Sequence, residues 1–218
     1  MTAVACRQLL TASCSSHRRA LSSSGGSALI ELEDLSLEEV ADHVHLVTLN
    51  RPTRGNAFSL AMAESLEKVP SLLPASCRAI VVTGRGEKAF CTGRDLVESR
   101  GHTQAQATRY LEAMVASVLG IKQLSIPSVA AINGAAFGGG LELALACDLR
   151  VADTQATLCF PECSLGLFPG AAGCVLVTRL VGAARAKDLL FTSRRFTYAD
   201  KCLSASLYLQ PAQQVGVL

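Results

Sequence analysis

Two glutamates stand in surroundings where carboxylates are uncommon. Glu142 lies in the apolar run Gly140-Leu-Glu-Leu-Ala-Leu-Ala146, and Glu162 directly follows Phe160-Pro161. Burial of a carboxylate is costly unless the group is paired or functional, and it raises the pKa toward the range useful for acid–base chemistry. Two such groups can divide the work of adding water to a substrate. From the pattern alone, Glu142 on a solvated helix face and Glu162 as a cap of the following turn stay open as alternatives.

Two glycine-containing loops offer backbone hydrogen-bond donors. Gly138-Gly-Gly140 immediately precedes a predicted helix, and Gly93 lies in the loop Phe90–Leu96 after a predicted buried strand. Glycine lets a backbone pass close to a ligand, and a helix N-terminus presents unpaired N–H groups and a positive partial charge. Two such loops can direct two donors at one oxygen, as a thioester carbonyl that becomes an enolate requires. A simple tight turn is the alternative for the three glycines.

The elements that must position these residues alternate between strand and helix. The predicted strands are apolar or β-branched runs bounded by turn residues: Val44–Leu49, Ala79–Thr83, Ser128–Ile132, Leu149–Ala152 and Ala156–Phe160. The predicted helices run from Ser59 to about Val69, from Leu141 to Cys147, and from Thr103 to Leu124, with Leu111, Met114, Val115, Val118 and Ile121 on one apolar face. This alternation predicts an α/β fold with repeated crossover units.

Composition excludes several classes of protein. The chain has 218 residues, of which 50% are hydrophobic, enough for one domain with a sizeable core. No apolar run approaches the length that spans a bilayer, and a formal net charge of +2 gives no indication of nucleic-acid binding. Nine cysteines, scattered singly, predict thiols rather than a disulfide framework. The histidines have no metal-ligand spacing, so no metal site is predicted, and His43 and His45 are interpreted as surface residues.

The segment 1–28 has the composition of an organelle transit peptide. It contains Arg7, Arg18 and Arg19, many Ser and Ala residues, and no acidic residue. This composition predicts a mitochondrial address. An unstructured tail is the alternative.

Six short motifs occur in the order and approximate spacing of one known family. They are Asn50–Pro52, Phe90–Leu96, Asn133–Ala144, Cys147–Ala152, Phe160–Glu162 and Gly166–Gly170. With these motifs the chain resembles the crotonase family, the enoyl-CoA hydratases and isomerases, over about residues 29–200. The resemblance implies an α/β crotonase-like spiral of ββα units, a CoA thioester substrate, and no cofactor beyond the coenzyme A that the substrate carries. It divides the chain into a transit peptide (1–28), a crotonase-like core (29–200) and a divergent tail (201–218).

The same resemblance implies roles for individual residues. The backbone N–H groups of Arg94 and Gly139 would hold the thioester carbonyl in an oxyanion hole. Glu142 would orient or deprotonate the water, and Glu162 would exchange a proton with the α carbon. Gly170 would help to hold the water.

Other positions are implied to contact the substrate. Ala57 matches a position near the CoA nucleotide, while Asp95 and Leu96 lie in the stretch that lines the thioester channel. Arg94 stands where relatives often have Ala, and because its role is carried by the N–H, its side chain is free to reach a CoA phosphate.

Both glutamates together favour a hydratase, because isomerase relatives usually keep only one of the two. The sequence therefore predicts an enoyl-CoA hydratase of the mitochondrial matrix, acting in fatty acid or branched-chain acyl-CoA degradation, and the family suggests a homotrimer or hexamer. A double-bond isomerase is one alternative. A non-catalytic acyl-CoA-binding or partner subunit is another, since 201–218 lacks most of the family's C-terminal helical region. In Pro169–Arg179, moreover, apolar residues replace the usual Gly-Gly-Thr-Gln-Arg run.

Overall fold

The computed structural model describes residues 29–207 and 209–211. The predicted transit peptide, 1–28, and the end of the predicted tail, 212–218, lie outside the described residues. Among those described, no helix combines the length and apolarity needed to cross a bilayer.

Strands and helices alternate along the chain, as the sequence predicts. The strands are β1 (Leu29–Leu32), β2 (Leu35–Ala41), β3 (Val44–Leu49), β4 (Ala79–Gly84), β5 (Ala89–Cys91), β6 (Ser128–Ile132), β7 (Ala135–Phe137), β8 (Leu149–Ala152), β9 (Thr157–Cys159), β10 (Phe196–Thr197) and β11 (Leu209–Pro211). The helices are α1 (Leu60–Leu72), α2 (Gln104–Lys122), α3 (Gly139–Ala146), α4 (Gly173–Val181), α5 (Ala183–Thr192) and α6 (Lys201–Ser206), with short 3-10 helices at Pro52–Arg54 and Glu162–Leu165.

The strands form two sheets that the chain visits in turn. The larger sheet has the order β1-β2-β3-β4-β6-β8-β11, and the smaller one has the order β10-β9-β7-β5. From β3 onward the large sheet is parallel, so each return needs a crossover. Three times the chain adds a strand to the large sheet, then one to the small sheet, then a helix: β4-β5-α2, β6-β7-α3 and β8-β9-α4, the last with the 3-10 helix Glu162–Leu165 before α4. The predicted α/β class and its repeated ββα unit are confirmed.

Side-chain caps fix where the two long helices begin. The Ser59 hydroxyl accepts a hydrogen bond from the Met62 amide at 2.9 Å, which starts α1. Thr103 and Gln106 form a reciprocal capping box at the start of α2. Caps of this kind satisfy amides that have no intrahelical acceptor. Both helix starts therefore agree with the sequence prediction.

Helix α3 is buried along its whole length and is packed tightly against β5. All eight of its residues are buried. A Cβ added at Gly140 would lie 2.0 Å from the carbonyl oxygen of Cys91, so only glycine permits this approach. This contact fixes the position of the first turn of α3, which contains Glu142.

The fold continues into the segment predicted as a divergent tail. Strand β11 pairs in parallel with β8, and it follows α6 directly. The buried Arg150 guanidinium donates to the carbonyl of Leu207 at 2.7 Å and to that of Cys147 at 2.8 Å. Arg150 thereby connects Leu207, which follows α6, with the C-terminal end of α3.

Two side chains differ in exposure from the sequence interpretation. His45 is predicted to be a surface residue, but it is only 6% exposed, because it lies on the same face of β3 as the core residues Val47 and Leu49. Leu111 was placed on the apolar core face of α2, yet it is 45% exposed. It borders a cavity instead of the core.

Candidate functional site

A cavity of about 240 Å³ opens between the two glycine loops, helix α2 and the Glu162–Leu165 turn. Six of the residues predicted to form the site line it: Arg94, Leu96, Gly139, Glu142, Glu162 and Gly170. Two others, Ala57 and Asp95, are not among its lining residues. The structure thus brings the predicted acids and both predicted loops to one place.

The two glycine loops touch each other at the wall of this cavity. Gly93 has a φ of 82°, and a Cβ added to it would lie 2.6 Å from the carbonyl oxygen of Phe137 and 3.1 Å from the nitrogen of Gly139. A side chain at residue 93 would therefore separate the loops, which is the physical reason for glycine there.

Each loop includes an amide that has no protein acceptor among the described residues. The amide of Phe58 donates to the carbonyl of Gly93 at 2.8 Å, and the carbonyl of Phe58 accepts from the amide of Asp95 at 2.9 Å. These two bonds form a short parallel β-bridge in which the N–H of Arg94 takes no part. Gly139 is the first residue of α3, where amides have no intrahelical acceptor. Among the described residues, neither the Arg94 nor the Gly139 amide donates a hydrogen bond. Two adjacent free donors suit an oxygen on which negative charge develops.

Glu142 is held by main-chain groups in a buried position. Its side chain is 1% exposed, and its Oε1 accepts from the amides of Ala171 at 2.8 Å and Gly173 at 2.6 Å. Burial raises the pKa of Glu142 to about 7; the Gly173 and Ala171 hydrogen bonds oppose that rise, and the nearby Glu162 carboxylate adds to it. A carboxylate with a pKa near neutrality can accept or release a proton at physiological pH.

Glu162 opens a 3-10 helix on the other side of the cavity. Its Oε1 lies against Gly138, where an added Cβ would approach it to 2.7 Å. Its Oε2 is buried and has no hydrogen-bond partner among the described residues. Burial raises the pKa of this carboxyl group above its ordinary value. The group is therefore easier to protonate than a surface glutamate.

Asp95 anchors the loop rather than lining the cavity. Its carboxylate is 4% exposed and lies 3.1 Å from the Arg51 guanidinium and 3.2 Å from that of Arg54. Burial alone would raise its pKa, but hydrogen bonds from the amides of residues 98 and 97 and from both arginines outweigh burial and lower it. Arg51 also donates to the carbonyl of Ala57 at 2.7 Å, so Ala57 belongs to the same anchor.

Helix α2 supplies a wall that sequence reasoning missed. Tyr110, Leu111 and Met114 line the cavity, although apolar periodicity predicts a core face for two of them. The Tyr110 ring lies 4.8 Å beneath the Arg94 guanidinium, whose Nε donates to Ser99 at 2.7 Å. A polar aromatic residue on an otherwise apolar helix face is the signal that could have identified Tyr110.

The sequence also gives no sign of the amides of Ala171 and Gly173, because side chains carry no signal for backbone donors.

The mouth of the cavity is apolar. It carries Leu165, Leu167 and Phe168, which are 53%, 49% and 75% exposed. Within the described part of the chain, no group of three or more His, Cys, Asp or Glu residues could hold a metal ion.

Comparison with known proteins places this geometry in a family. Residues 39–202 match the family model described as enoyl-CoA hydratase/isomerase. The Bacillus subtilis protein YngF, named as an enoyl-CoA hydratase/isomerase, is 42% identical over 158 residues, which cover 72% of this chain and 61% of YngF. The human enoyl-CoA hydratase domain-containing protein 2, mitochondrial, is 34% identical over 181 residues, 82% of this chain and 62% of that protein. The chain thus spans about three fifths of the length of these relatives.

A solved structure agrees with the sequence comparison. The crystal structure of enoyl-CoA hydratase from Bacillus anthracis superimposes with a TM-score of 0.78 at 37% identity, covering 84% of this chain and 72% of that one. This likeness confirms the crotonase-like fold predicted from the motifs. The chain belongs to the enoyl-CoA hydratase/isomerase family.

Proposed function

We propose that the protein adds water across the 2,3 double bond of an enoyl-CoA thioester. One observation carries the proposal: two acids with raised pKa values, the buried Glu142 and the half-buried Glu162, line the same cavity as two amides that have no protein acceptor among the described residues. Acyl-CoA as the substrate class is supported by the names of the relatives.

In this mechanism the thioester oxygen accepts hydrogen bonds from the amides of Arg94 and Gly139. These donors stabilise the enolate that forms when water attacks. The water oxygen bonds to the β carbon, and its proton passes to Glu142. The α carbon takes a proton from Glu162. Oxygen and hydrogen are then added to adjacent carbons, and exchange of protons with solvent restores the two acids.

The protonation states that this mechanism needs follow from the environment of the pair. One acid must begin charged and the other must begin protonated. Glu142 lies near Glu162, and like charges in one buried site disfavour double ionisation. The two amides on Oε1 favour the charged form at Glu142, whereas Glu162 has an oxygen without a partner. Glu142 as the base and Glu162 as the acid is the assignment that the contacts support.

Hydration of crotonyl-CoA by the purified chain tests the proposal directly. Glu142→Gln and Glu162→Gln are each expected to lower kcat by about 10²–10⁴-fold, the usual contribution of a general acid or base. Glu64→Gln is the matched control, because Glu64 pairs with Arg109 away from the cavity. A folded chain that leaves crotonyl-CoA unchanged, with Glu142→Gln altering nothing, would refute the proposal.

The cavity mouth favours a second candidate function, that of a non-catalytic partner subunit. Phe168 is 75% exposed beside Leu165 and Leu167, and such an apolar patch typically marks a contact surface. Light scattering combined with an activity assay separates the two: a stable homotrimer with turnover removes the partner-subunit candidate. A panel that includes 3-enoyl thioesters separates the hydratase from a double-bond isomerase.

Four further properties belong to the proposal. The composition of residues 1–28 and the name of the human relative support a mitochondrial matrix location. Fatty acid or branched-chain acyl-CoA degradation is the proposed pathway class, and a homotrimer or hexamer is the proposed assembly. The Arg94 side chain is proposed to reach a CoA phosphate, and Arg94→Ala with unchanged affinity for CoA would reject that role.

A further inference from the structure

Ala172 has an unusual backbone conformation beside the buried acid. Its φ is 78°, in the left-handed region that favours glycine. The other non-glycine residues with positive φ in the described ranges are polar: Asp34, His43, Asn56 and Ser193. Alanine has no polar side chain that could stabilise this conformation by a local hydrogen bond. Strain of this kind persists only where the surroundings over-determine it.

The left-handed residue lies between the two amides that hold Glu142. Ala171 and Gly173 flank it, and their N–H groups donate to the same oxygen, Oε1, at 2.8 and 2.6 Å. Ala172 is also the N-cap of α4, and its side chain makes no capping hydrogen bond. Alternation of right- and left-handed residues turns successive N–H groups toward one point, which makes a concave anion-binding site in the backbone. Here the anion is the carboxylate of the protein's own glutamate.

No side chain among the described residues donates to the Glu142 carboxylate. Both of its hydrogen bonds come from this turn, and both reach Oε1, so Oε2 is left for the cavity that Glu142 lines. The turn also packs closely on the side chain: a Cβ added at Gly173 would lie 2.7 Å from the Cγ and from Oε1 of Glu142. The orientation of Glu142 therefore depends on the conformation of three backbone residues.

We propose that Ala172 is a positioning residue, whose left-handed conformation aims the amides of Ala171 and Gly173 at Glu142 and fixes which carboxylate oxygen faces the substrate. The proposal rests on the proposed function, because it concerns the same acid. It assigns a role to a residue whose side chain does not touch the cavity.

Two variants separate the conformation of residue 172 from its side chain. Glycine adopts positive φ without cost, so Ala172→Gly keeps the turn. A β-branched residue is a genuine outlier at positive φ, so Ala172→Val is expected to turn the flanking amides away. His43→Val is the matched control, since His43 has a φ of 63° in the turn between β2 and β3, far along the chain from Glu142. It introduces the same strain at a residue whose amide donates to Glu39 rather than to Glu142.

The first readout is the titration of Glu142 itself. Chains labelled with ¹³C at the glutamate carboxyl carbon are titrated by NMR, and Glu142→Gln assigns the signal. Amides that bond a carboxylate favour its charged form, so their loss raises the pKa. The titratable groups reported to face Glu142 are Glu162 and, from α4, Cys174. The midpoint is expected to move to higher pH in Ala172→Val and to stay in place in Ala172→Gly and His43→Val.

The second readout is the pH profile of kcat for crotonyl-CoA. Ala172→Val is expected to lose on the order of 10²-fold in kcat, as a misplaced catalytic group typically does, with KM little changed. The optimum of its profile should move to higher pH together with the NMR midpoint. Ala172→Gly should retain the profile of the parent chain, and so should His43→Val.

The outcomes are distinct. An unchanged Glu142 midpoint in Ala172→Val overturns the positioning role, whatever the activity. A shifted midpoint in a chain without hydration activity supports the role and rejects the proposed function. If Ala172→Val does not fold, Gly173→Ala takes its place, because it displaces the Glu142 side chain at a position with no positive φ. An unchanged midpoint in that variant overturns the role equally.

Discussion

At the scale of single residues, the two glutamates of the cavity control how the protein should respond to pH. Glu142 must be charged to accept the proton of water, and burial places its pKa at about 7. Glu162 must be protonated to supply the proton of the α carbon, and burial raises its pKa as well. The rate of crotonyl-CoA hydration is therefore expected to pass through an optimum where the pair holds one proton, and to fall at lower and at higher pH. Measurement of kcat against pH checks this, and a flat profile across neutrality would contradict the assignment.

The same pKa predicts a cost in stability. Glu142 has a pKa of about 7 in the folded state against an ordinary value of 4.5, so the folded chain binds more protons than the unfolded chain between these values. The contribution of Glu142 to the free energy of unfolding is therefore most favourable below about pH 4.5 and declines as the pH rises to about 7. The whole shift corresponds to up to about 3 kcal/mol.

Glu142→Gln removes this penalty and tests it. The variant should have a higher free energy of unfolding than the parent at pH 8 and little difference at pH 5, as measured by urea denaturation. Glu64→Gln serves as the control, since Glu64 is paired on the surface with Arg109. An equal effect of Glu142→Gln at both pH values would show that the buried charge is not its origin.

At the scale of elements, the contact between α3 and β5 leaves the least room for a larger side chain. Gly140→Ala would place a Cβ 2.0 Å from the Cys91 carbonyl, and backbone on both sides prevents easy relaxation. We expect a loss of at least about 2 kcal/mol in the free energy of unfolding, typical of overpacking.

A second helical glycine provides the matched control for this substitution. Gly120 lies in α2, where a Cβ would meet only Pro70 at 3.5 Å, an ordinary contact. Gly120→Ala should stabilise the chain by up to about 1 kcal/mol, because alanine is the better helix former. A similar loss in both variants would mean that helix packing in general, rather than the α3–β5 approach, is responsible.

Several elements could be predicted from the sequence, and the reasons for the others are physical. Strands β3, β6 and β8 have the predicted bounds because each is an apolar run ended by turn residues. Strands β5 and β7 have three residues each, too few for any periodicity to show. The hairpin of β1 and β2 was missed because acidic residues interrupt its apolar positions.

The residues of the site likewise fall into those that the sequence identifies and those that it does not. Side-chain chemistry identified Glu142 and Glu162, and the glycines marked the loops that contain Arg94 and Gly139. The amides that hold Glu142 could not be found, since any residue type supplies an N–H. The left-handed conformation of Ala172 could not be predicted either, because alanine is not a residue type that indicates a positive φ.

At the scale of the whole molecule, residues 201–207 and 209–211 are part of the fold and contribute to its core. Leu203, Leu207 and Leu209 are 2%, 1% and 4% exposed, and the buried Arg150 donates to the Leu207 carbonyl. A chain that ends at residue 200 would leave the Arg150 guanidinium short of an acceptor and expose the edge of β8. We expect the truncated chain to lose about several kcal/mol in the free energy of unfolding, seen as a lower urea midpoint, or to aggregate.

Arg194→Ala is the comparison for this truncation. Arg194 pairs with Asp188 and Asp200 at the surface, where ion pairs contribute about 0–1 kcal/mol. Its loss should barely change the urea midpoint. A truncated chain as stable as this variant would show that the last strand is dispensable.

The hydrogen-bond donors proposed to act in the cavity are peptide groups, and this decides which experiments can detect them. Replacement of Arg94 or Ala171 by any amino acid except proline leaves the N–H in place, so a conventional side-chain scan would not detect the contribution of these donors. Replacement of a single peptide linkage by an ester, through semisynthesis, removes the N–H alone. For this protein, backbone editing is the form of mutagenesis that addresses the chemistry.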